Sequence, residues 1–277
     1  FDARDSAPTI VTAETILTVD DGAPRAEAML TAGGTILAVG SLGDVEAAAR
    51  EHGVDPVRAD FPGAMIVPGF IDAHAHPLMF GQLLTWVDIS PAKAGTIPEI
   101  VELMREGATR LPAGVPLRGY GYEQRNLAER RHPTKEELDA IATDREVYIM
   151  NASGHGGVVN SFTLDTYGIT RDTPNPEGGE FFRDADGELT GELSDAACNV
   201  LTGLHGVKIG HHGPNFHLGD EPAEHQRQLD IAQREFLSAG VTALGDAQVS
   251  KRELAAYLAM ADRGELSVRV SMYFLSH

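Results

Sequence analysis

The pattern of apolar and polar positions begins with a β-rich stretch. Residues 9–19 are rich in β-branched side chains, and residues 28–39 form a second apolar run that the pair Gly33-Gly34 interrupts. A β-branched run, followed by an apolar run that a glycine pair breaks, is a signal of β-hairpin structure. A short helix is expected over residues 46–49, where alanine and glutamate replace the β-branched residues.

Helical periodicity takes over in the middle of the chain. Thr96 with Glu99, and Thr134 with Glu137, each form the Thr-x-x-Glu pattern that caps a helix N-terminus. Residues 147–150 are apolar and predict a short buried strand, and the Gly-, Pro- and Asp-rich residues 172–187 predict a loop or a hairpin.

The end of the chain alternates helix and strand regularly. A helix is expected over residues 223–239, a strand over 241–246, a second helix over 251–261 and a second strand over 268–275. Strands that alternate with helices in this way indicate a parallel sheet, and therefore the α/β class.

Composition and charge restrict the partners of this protein. The chain has 277 residues, 42% of them hydrophobic, and a net charge of −19. So acidic a surface repels phosphate groups, which argues against nucleic acid and anionic membranes as partners. We find no apolar stretch long enough to span a membrane and expect a soluble protein.

A single cysteine, Cys198, rules out an internal disulfide bond, and a small buried side chain is the favoured interpretation over a nucleophile. A cytoplasmic location is expected. Because the sequence begins with Phe1, a removed leader and secretion stay open as alternatives.

The strongest chemical signal is the decapeptide over residues 68–77, Pro-Gly-Phe-Ile-Asp-Ala-His-Ala-His-Pro. Side chains alternate along a strand, so Asp72, His74 and His76 project to one side. Two imidazoles at this spacing can reach one metal ion, although at least one or two more ligands must come from elsewhere. The alternative is a chance pair among the 11 histidines.

This decapeptide resembles the first-strand motif of the amidohydrolase superfamily. Further segments spread over nearly the whole chain are similar to its YtcJ-like branch, which includes N-substituted formamide deformylase. They include residues 12–20, 34–40, 119–122, 133–143, 153–161, 178–179, 186–191 and 240–246.

The resemblance implies a distorted (β/α)₈ TIM-like barrel with a small N-terminal β-sandwich and an inserted α/β cap. We assign residues 1–63 to the sandwich, 64–83 to the first barrel strand with the metal motif, 84–221 to the cap, and 222–277 to barrel strands two and three. The alternative makes residues 115–121 and 147–150 barrel strands. Family members are longer, so this chain is expected to be the N-terminal half.

The implied function is a metal-dependent hydrolase that acts on C–N bonds other than peptide bonds, in an amide, formamide or cyclic amide. Zn²⁺ is the expected cofactor, as one or two ions, with His74 and His76 as ligands and the general base on a later strand. Two alternatives stay open: an ester or lactone hydrolase, and an inactive binding half that needs its missing C-terminal half. A homo-oligomer is compatible with the sequence.

Four residues are candidates for binding the small-molecule substrate. His155 matches a His-containing segment of the family and has glycines on both sides that permit close backbone approach, with a structural hydrogen bond as the alternative to substrate contact. Tyr120, Tyr122 and Trp86 are candidates for the pocket wall, with a core position as the alternative. Asp72 is expected to orient His74 or His76 through the second ring nitrogen, as metal-bound histidines usually require, with a buried ion pair as the alternative.

Two aspartates and a histidine-rich segment are weaker candidates. Asp246 ends a predicted strand at the catalytic face, with a loop cap as the alternative. Asp195 stands where the family usually has glutamate, which leaves its role open. A second metal site is a minor alternative to a solvated loop in residues 203–219, which contain His205, His211, His212 and His217.

Overall fold

The computed structural model describes residues 7–198 and 222–274 and has the mixed α/β content that the sequence predicts. In chain order, the elements are β1 (Thr9–Leu17), β2 (Arg25–Ala32), β3 (Thr35–Gly40), α1 (Leu42–Glu51), β4 (Val57–Ile66), β5 (Phe70–Ala75), α2 (Pro77–Leu83), β6 (Val87–Asp88), α3 (Ile97–Ala108), β7 (Leu117–Tyr122), α4 (Lys135–Asp139), β8 (Val147–Asn151), β9 (Gly156–Val159), α5 (Ser161–Thr166), β10 (Gly179–Arg183), β11 (Leu189–Asp195), α6 (Pro222–Ser238), β12 (Val241–Val249), α7 (Lys251–Asp262) and β13 (Arg269–Phe274).

The chain forms two compact units, each built from separate segments. The first comprises Phe1–His74, Phe236–Gly245 and Leu258–Ser271, and the second Ala75–Glu235, Asp246–Tyr257 and Met272–His277. The predicted boundary between residues 63 and 64 falls inside β4. The four-part division from the sequence therefore stays a prediction.

The N-terminal residues form a four-stranded sheet in the order β3-β2-β1-β4. β1 and β3 run antiparallel to β2, and β4 runs parallel to β1. The predicted hairpin is β2–β3, joined by the two residues Gly33 and Gly34, whose φ angles are 54° and 76°. Positive φ at both positions is what a tight two-residue hairpin turn requires, so glycine is suited to both.

One face of this sheet carries the core of the first unit. Ile10, Ala28 and Leu30 are buried there together with Val45 and Ala49 of α1. The opposite face exposes large apolar side chains, namely Ile36, Val39, Val57 and Phe61. The predicted sandwich, which would cover such a face, stays a prediction.

The predicted helix of residues 46–49 is longer than the sequence indicated and spans Leu42–Glu51. It begins at Ser41, whose hydroxyl accepts a hydrogen bond from the backbone N–H of Asp44. A serine at this position satisfies an N–H that has no partner inside the helix. Residues 42–45 have less of the helix-favouring alanine than residues 46–49, so composition alone does not indicate the helix start.

A six-stranded mixed sheet lies in the second unit, in the order β10-β11-β9-β8-β7-β6. β6, β7 and β8 are parallel, and the remaining pairs are antiparallel. The predicted strand at 147–150 is β8, and the predicted loop or hairpin is the antiparallel pair β10–β11. Helices α3 and α4 begin at Thr96 and Thr134 with both halves of the predicted capping boxes formed.

The third sheet has the order β13-β12-β5 and joins the strand of the histidine motif to the two strands near the chain end. Its members are the three predicted barrel strands. β7 and β8, the alternative barrel strands, lie in the six-stranded sheet instead. Closure into an eight-stranded barrel stays a prediction. None of the described helices is long and apolar enough to cross a membrane.

Gly157 tests how tightly the six-stranded sheet is packed. A Cβ at this position would lie 2.1 Å from the carbonyl oxygen of Ile149 and 2.5 Å from the ring of Tyr148. We expect Gly157→Ala to lower the free energy of unfolding by about 1–3 kcal/mol, the usual cost of overpacking. Urea denaturation measures the change.

Gly168→Asn is the matched control. Gly168 has a φ of 65°, a Cβ added there would meet no atom within 4 Å, and asparagine tolerates that backbone conformation. Equal effects of the two substitutions would contradict the packing interpretation.

Candidate metal centre

The strand of the histidine motif is held close to β12 at its beginning. A Cβ on Gly69 would lie 2.1 Å from Oγ1 of Thr242, so only glycine fits at this position. The backbone N–H of Phe70 donates to the carbonyl oxygen of Gly240 at 2.8 Å. The glycine of the motif therefore has a steric reason, which is the Thr242 side chain packed against it.

His74 lies near the end of β5 with an exposed side chain. Its backbone N–H donates to Oδ1 of Asp72 at 3.0 Å. The described contact of Asp72 is therefore with the main chain of the motif, and the prediction that Asp72 orients an imidazole stays untested. This local bond fixes the backbone from which the His74 ring projects.

His76 lies just beyond β5, as the N-cap residue of α2, and Pro77 follows at the first helical position. Proline has no N–H and a fixed φ, which suits a helix start and ends the strand. Nδ1 of His76 lies 2.9 Å from the carbonyl oxygen of Ala247 in β12. Because a carbonyl oxygen can only accept, Nδ1 carries a proton, and the lone pair of the neutral ring lies on Nε2.

Two imidazoles alone would make up only part of a metal site. Over residues 7–198 and 222–274, no group of three or more His, Cys, Asp or Glu side chains is arranged to hold a metal ion. The donor chemistry nevertheless fits a divalent ion such as Zn²⁺. A carbonyl oxygen orients the His76 ring through Nδ1 and leaves Nε2 to bind the ion, as in most histidines that bind metals. The four histidines from His205 to His217 lie outside the described residues.

Asp246 is buried in β12, beside the residue whose carbonyl binds His76. Its carboxyl group is 2% exposed and accepts a hydrogen bond from the hydroxyl of Tyr257 at 2.7 Å. Burial raises the pKa of Asp246 to about 7, the Tyr257 hydrogen bond opposes this rise, and the nearby Glu253 adds to it. Asp246 is thus a buried acid and does not cap a loop.

His155 and Asp195 form a pair in the second unit. Nδ1 of His155 lies 2.9 Å from Oδ1 of Asp195, and the backbone N–H of Asp195 donates to the carbonyl oxygen of His155 at 2.7 Å. Asp195 has a φ of 44°, an unusual value for a residue other than glycine. The His155 side chain is 60% exposed, so the pair presents an imidazole of fixed orientation to solvent.

The three aromatic candidates occupy different environments. Tyr122 is fully buried, and its hydroxyl lies 2.8 Å from Nδ1 of His132. Of the two alternatives for Tyr122, pocket wall and core, this burial favours the core. Tyr120 is half-buried, and burial followed by the charges of Asp88 and Glu235 raises its pKa. Trp86 is also half-buried, 6.2 Å from the ring of Tyr148.

Two functional contacts were not predicted from the sequence. The carbonyl of Ala247 was missed because a backbone acceptor leaves no trace in residue identity. The hydroxyl of Tyr257 that donates to Asp246 was missed for a similar reason. Tyr257 follows Asp246 by eleven residues and lies in helix α7, and its sequence position predicts a helix but not this contact.

Comparisons with known proteins identify the family of this chain. A family model described as the amidohydrolase family matches residues 59–277. N-substituted formamide deformylase of Arthrobacter pascens is 34% identical over 245 residues, which are 87% of this chain and 43% of that protein. Putative amidohydrolase YtcJ of Bacillus subtilis (strain 168) is 31% identical over 187 residues, 67% of this chain and 34% of that protein. The chain spans less than half the length of these relatives.

Solved structures share the fold. A metal-dependent hydrolase from Pyrococcus horikoshii OT3 superposes with a TM-score of 0.64 at 22% identity, over 97% of this chain and 48% of that chain. One from Pyrococcus furiosus gives 0.63 at 23% identity, over 97% of this chain and 50% of that chain. At sequence identities this low, the superpositions show a shared fold and show nothing about function.

Because Asp246 is a buried acid, the free energy of unfolding should depend on pH. Because its pKa is about 7 in the folded state and 3.8 as the ordinary value, the folded protein binds more protons between these limits. Its stabilising contribution is therefore complete below pH 3.8 and is lost as the pH rises through 7. The loss is at most about 4 kcal/mol.

Asp246→Asn keeps an acceptor for Tyr257 and removes the titration. We expect the difference in unfolding free energy between variant and wild type to shift in favour of the variant by several kcal/mol from pH 5 to pH 9, measured by denaturant titration. Asp262→Asn, at the exposed end of α7, is the control. A difference that stays constant with pH would contradict the burial of an acid at this position.

Proposed function

The chain belongs to the amidohydrolase family, in the YtcJ-like branch of that superfamily, and from this premise we propose that the whole protein is a metal-dependent hydrolase of C–N bonds other than peptide bonds. The single observation that carries the proposal is the hydrogen bond between Nδ1 of His76 and the carbonyl of Ala247. It presets the ring orientation and the tautomer that a metal ligand needs.

His74 and His76 would hold a divalent ion, most simply Zn²⁺, with their imidazoles. Such an ion, when bound, lowers the pKa of a water molecule and polarises a substrate carbonyl. The remaining ligands and the general base would come from outside the described residues, because those residues offer no third ligand at hand. Whether one or two ions bind is an outcome of the metal measurement below.

The residues of this chain would also shape the approach to the reacting bond. The hydrogen bond from the His74 backbone N–H to Asp72 and the close contact of Gly69 with β12 fix the strand that carries the ligands. His155, oriented by Asp195, would donate or accept a hydrogen bond to substrate through its exposed ring. The half-buried Tyr120 is a second candidate for substrate contact.

The substrate class rests on the relatives. One of them is by name an N-substituted formamide deformylase, and we extend the amide or formamide class to this chain from it. A cyclic amide belongs to the same bond class. Esters share the chemistry of a water molecule that attacks a carbonyl, so they are included in the test as a competing outcome.

Substitution of the two histidines tests the metal ligands. We expect wild-type protein to contain close to one or two equivalents of metal, and His74→Ala and His76→Ala each to lose most of it, because two imidazoles hold an ion far better than one. Elemental mass spectrometry measures the content. Hydrolysis of N-aryl formamides, anilides and aryl esters should fall in parallel by about 100-fold or more.

His52→Ala, at the exposed C-terminal end of α1, is the matched control and should keep both metal and activity. If the metal content of both His74→Ala and His76→Ala equals that of the wild type, the proposal is wrong. Activity confined to esters would leave the metal assignment intact and correct the substrate class.

The His155–Asp195 pair yields a separate prediction. His155→Ala should lower kcat/KM by about tenfold, the value of one lost hydrogen bond to substrate, while metal content stays at the wild-type level. Asp195→Asn should give a smaller loss in the same direction, because the ring stays but its orientation is less fixed. Loss of metal in His155→Ala, or wild-type kcat/KM, would contradict the assigned role.

A further inference from the structure

A cavity of about 610 Å³ lies in the second unit, where the six-stranded sheet ends at the short strand β6. Its walls come from the residues just before and within β6, the second half of α3 and the beginning of β7. His76, His155 and Tyr120 are absent from this lining. The cavity therefore needs an explanation of its own.

The cavity contains a desolvated cation, the guanidinium of Arg118. The side chain is 16% exposed, and burial lowers its pKa, an effect that the charge of Glu146 opposes. The nearest carboxylate oxygen, of Glu146, lies 3.9 Å away, beyond hydrogen-bond distance. Among the described residues, the guanidinium donates no hydrogen bond, although arginine has five N–H donors.

Glu146 is itself engaged elsewhere, which limits its compensation of Arg118. Its carboxylate accepts a hydrogen bond from the hydroxyl of Tyr167 at 3.3 Å. A guanidinium that is only partly solvated and donates no hydrogen bond to the described part of the protein is suited to bind an acceptor. An anion that enters the cavity would supply that acceptor.

An aromatic surface lies beside the cation. The guanidinium carbon of Arg118 is 5.9 Å from the centre of the Trp86 ring, and the ring also packs edge-on against Tyr148. Apolar side chains of Val87, Leu103 and Leu117 continue this wall. A flat apolar group would therefore find contact area directly next to the charge.

The remaining charged groups of the lining oppose one another. Lys93 and Arg110 are cationic, and Asp88 and Glu106 are anionic. Because these four charges sum to zero, Arg118 gives the lining its net positive charge and thereby its preference for an anionic ligand. A planar guanidinium pairs with a carboxylate through two parallel hydrogen bonds, which a lysine cannot do.

We propose that this cavity binds a small organic acid, with its carboxylate on the Arg118 guanidinium and its aromatic or branched apolar group on Trp86. The volume is that of an ordinary small-molecule site. The inference stands apart from the proposed hydrolase function, because it requires only binding and neither the metal ligands nor turnover.

Trp86 provides a direct measurement, because it is the only tryptophan in the sequence. Phenylacetate is the probe, and phenylacetamide is its neutral match in shape. At constant ionic strength, we expect phenylacetate to change the Trp86 fluorescence saturably, with a Kd at least about tenfold lower than that of phenylacetamide. Calorimetry gives an independent Kd.

Arg118→Gln should raise the Kd for phenylacetate at least about tenfold and leave that for phenylacetamide unchanged. Arg125→Gln is the matched control, because Arg125 is an exposed arginine outside the lining. Glu146→Gln should lower the Kd for phenylacetate several-fold, because the guanidinium loses its competing anion. If Arg118→Gln does not fold, the Kd of Glu146→Gln tests the proposal instead.

Three results would overturn the proposal. They are equal affinity for the acid and the amide, an unchanged Kd in folded Arg118→Gln, and weaker or unchanged binding in Glu146→Gln. Because the readout is binding alone, none of these results bears on the hydrolase function, and a failure of the metal assignment leaves the cavity measurement intact.

Discussion

The close approach of β5 and β12 is the constraint on which the candidate metal centre depends. At the start of β5 it leaves no room for a Cβ on Gly69, because Thr242 fills that space. Past the end of β5 it brings the carbonyl of Ala247 to Nδ1 of His76. One strand pairing thus explains both the glycine of the decapeptide and the orientation of a proposed ligand.

Two desolvated ionisable groups show how the protein handles buried charge in different ways. Asp246 has a hydroxyl donor in Tyr257, and its raised pKa allows it to take up a proton near neutral pH. Arg118 cannot become neutral, because a guanidinium does not lose its proton in a protein. It is balanced by Glu146 at a distance and by the face of Trp86. The first arrangement is self-contained, whereas the second leaves donors for a ligand.

The sequence predicted those features that depend on local spacing. Both capping boxes formed as expected, because Thr96 and Thr134 satisfy N–H groups within three residues of themselves. The decapeptide identified the superfamily, which the family match supports. Contacts between distant segments were beyond reach: residue identity does not reveal that Ala247 faces His76, that Tyr122 is buried against His132, or that Arg118 is desolvated.

The central claim is that His74 and His76 share one metal ion. An anomalous diffraction map of zinc-loaded protein, collected at the zinc absorption edge, tests it most directly. The account predicts a peak about 2.0–2.1 Å from one ring nitrogen of each histidine, with Nε2 as the ligating atom of His76. A peak elsewhere in the molecule, or no peak in zinc-loaded crystals, would contradict it.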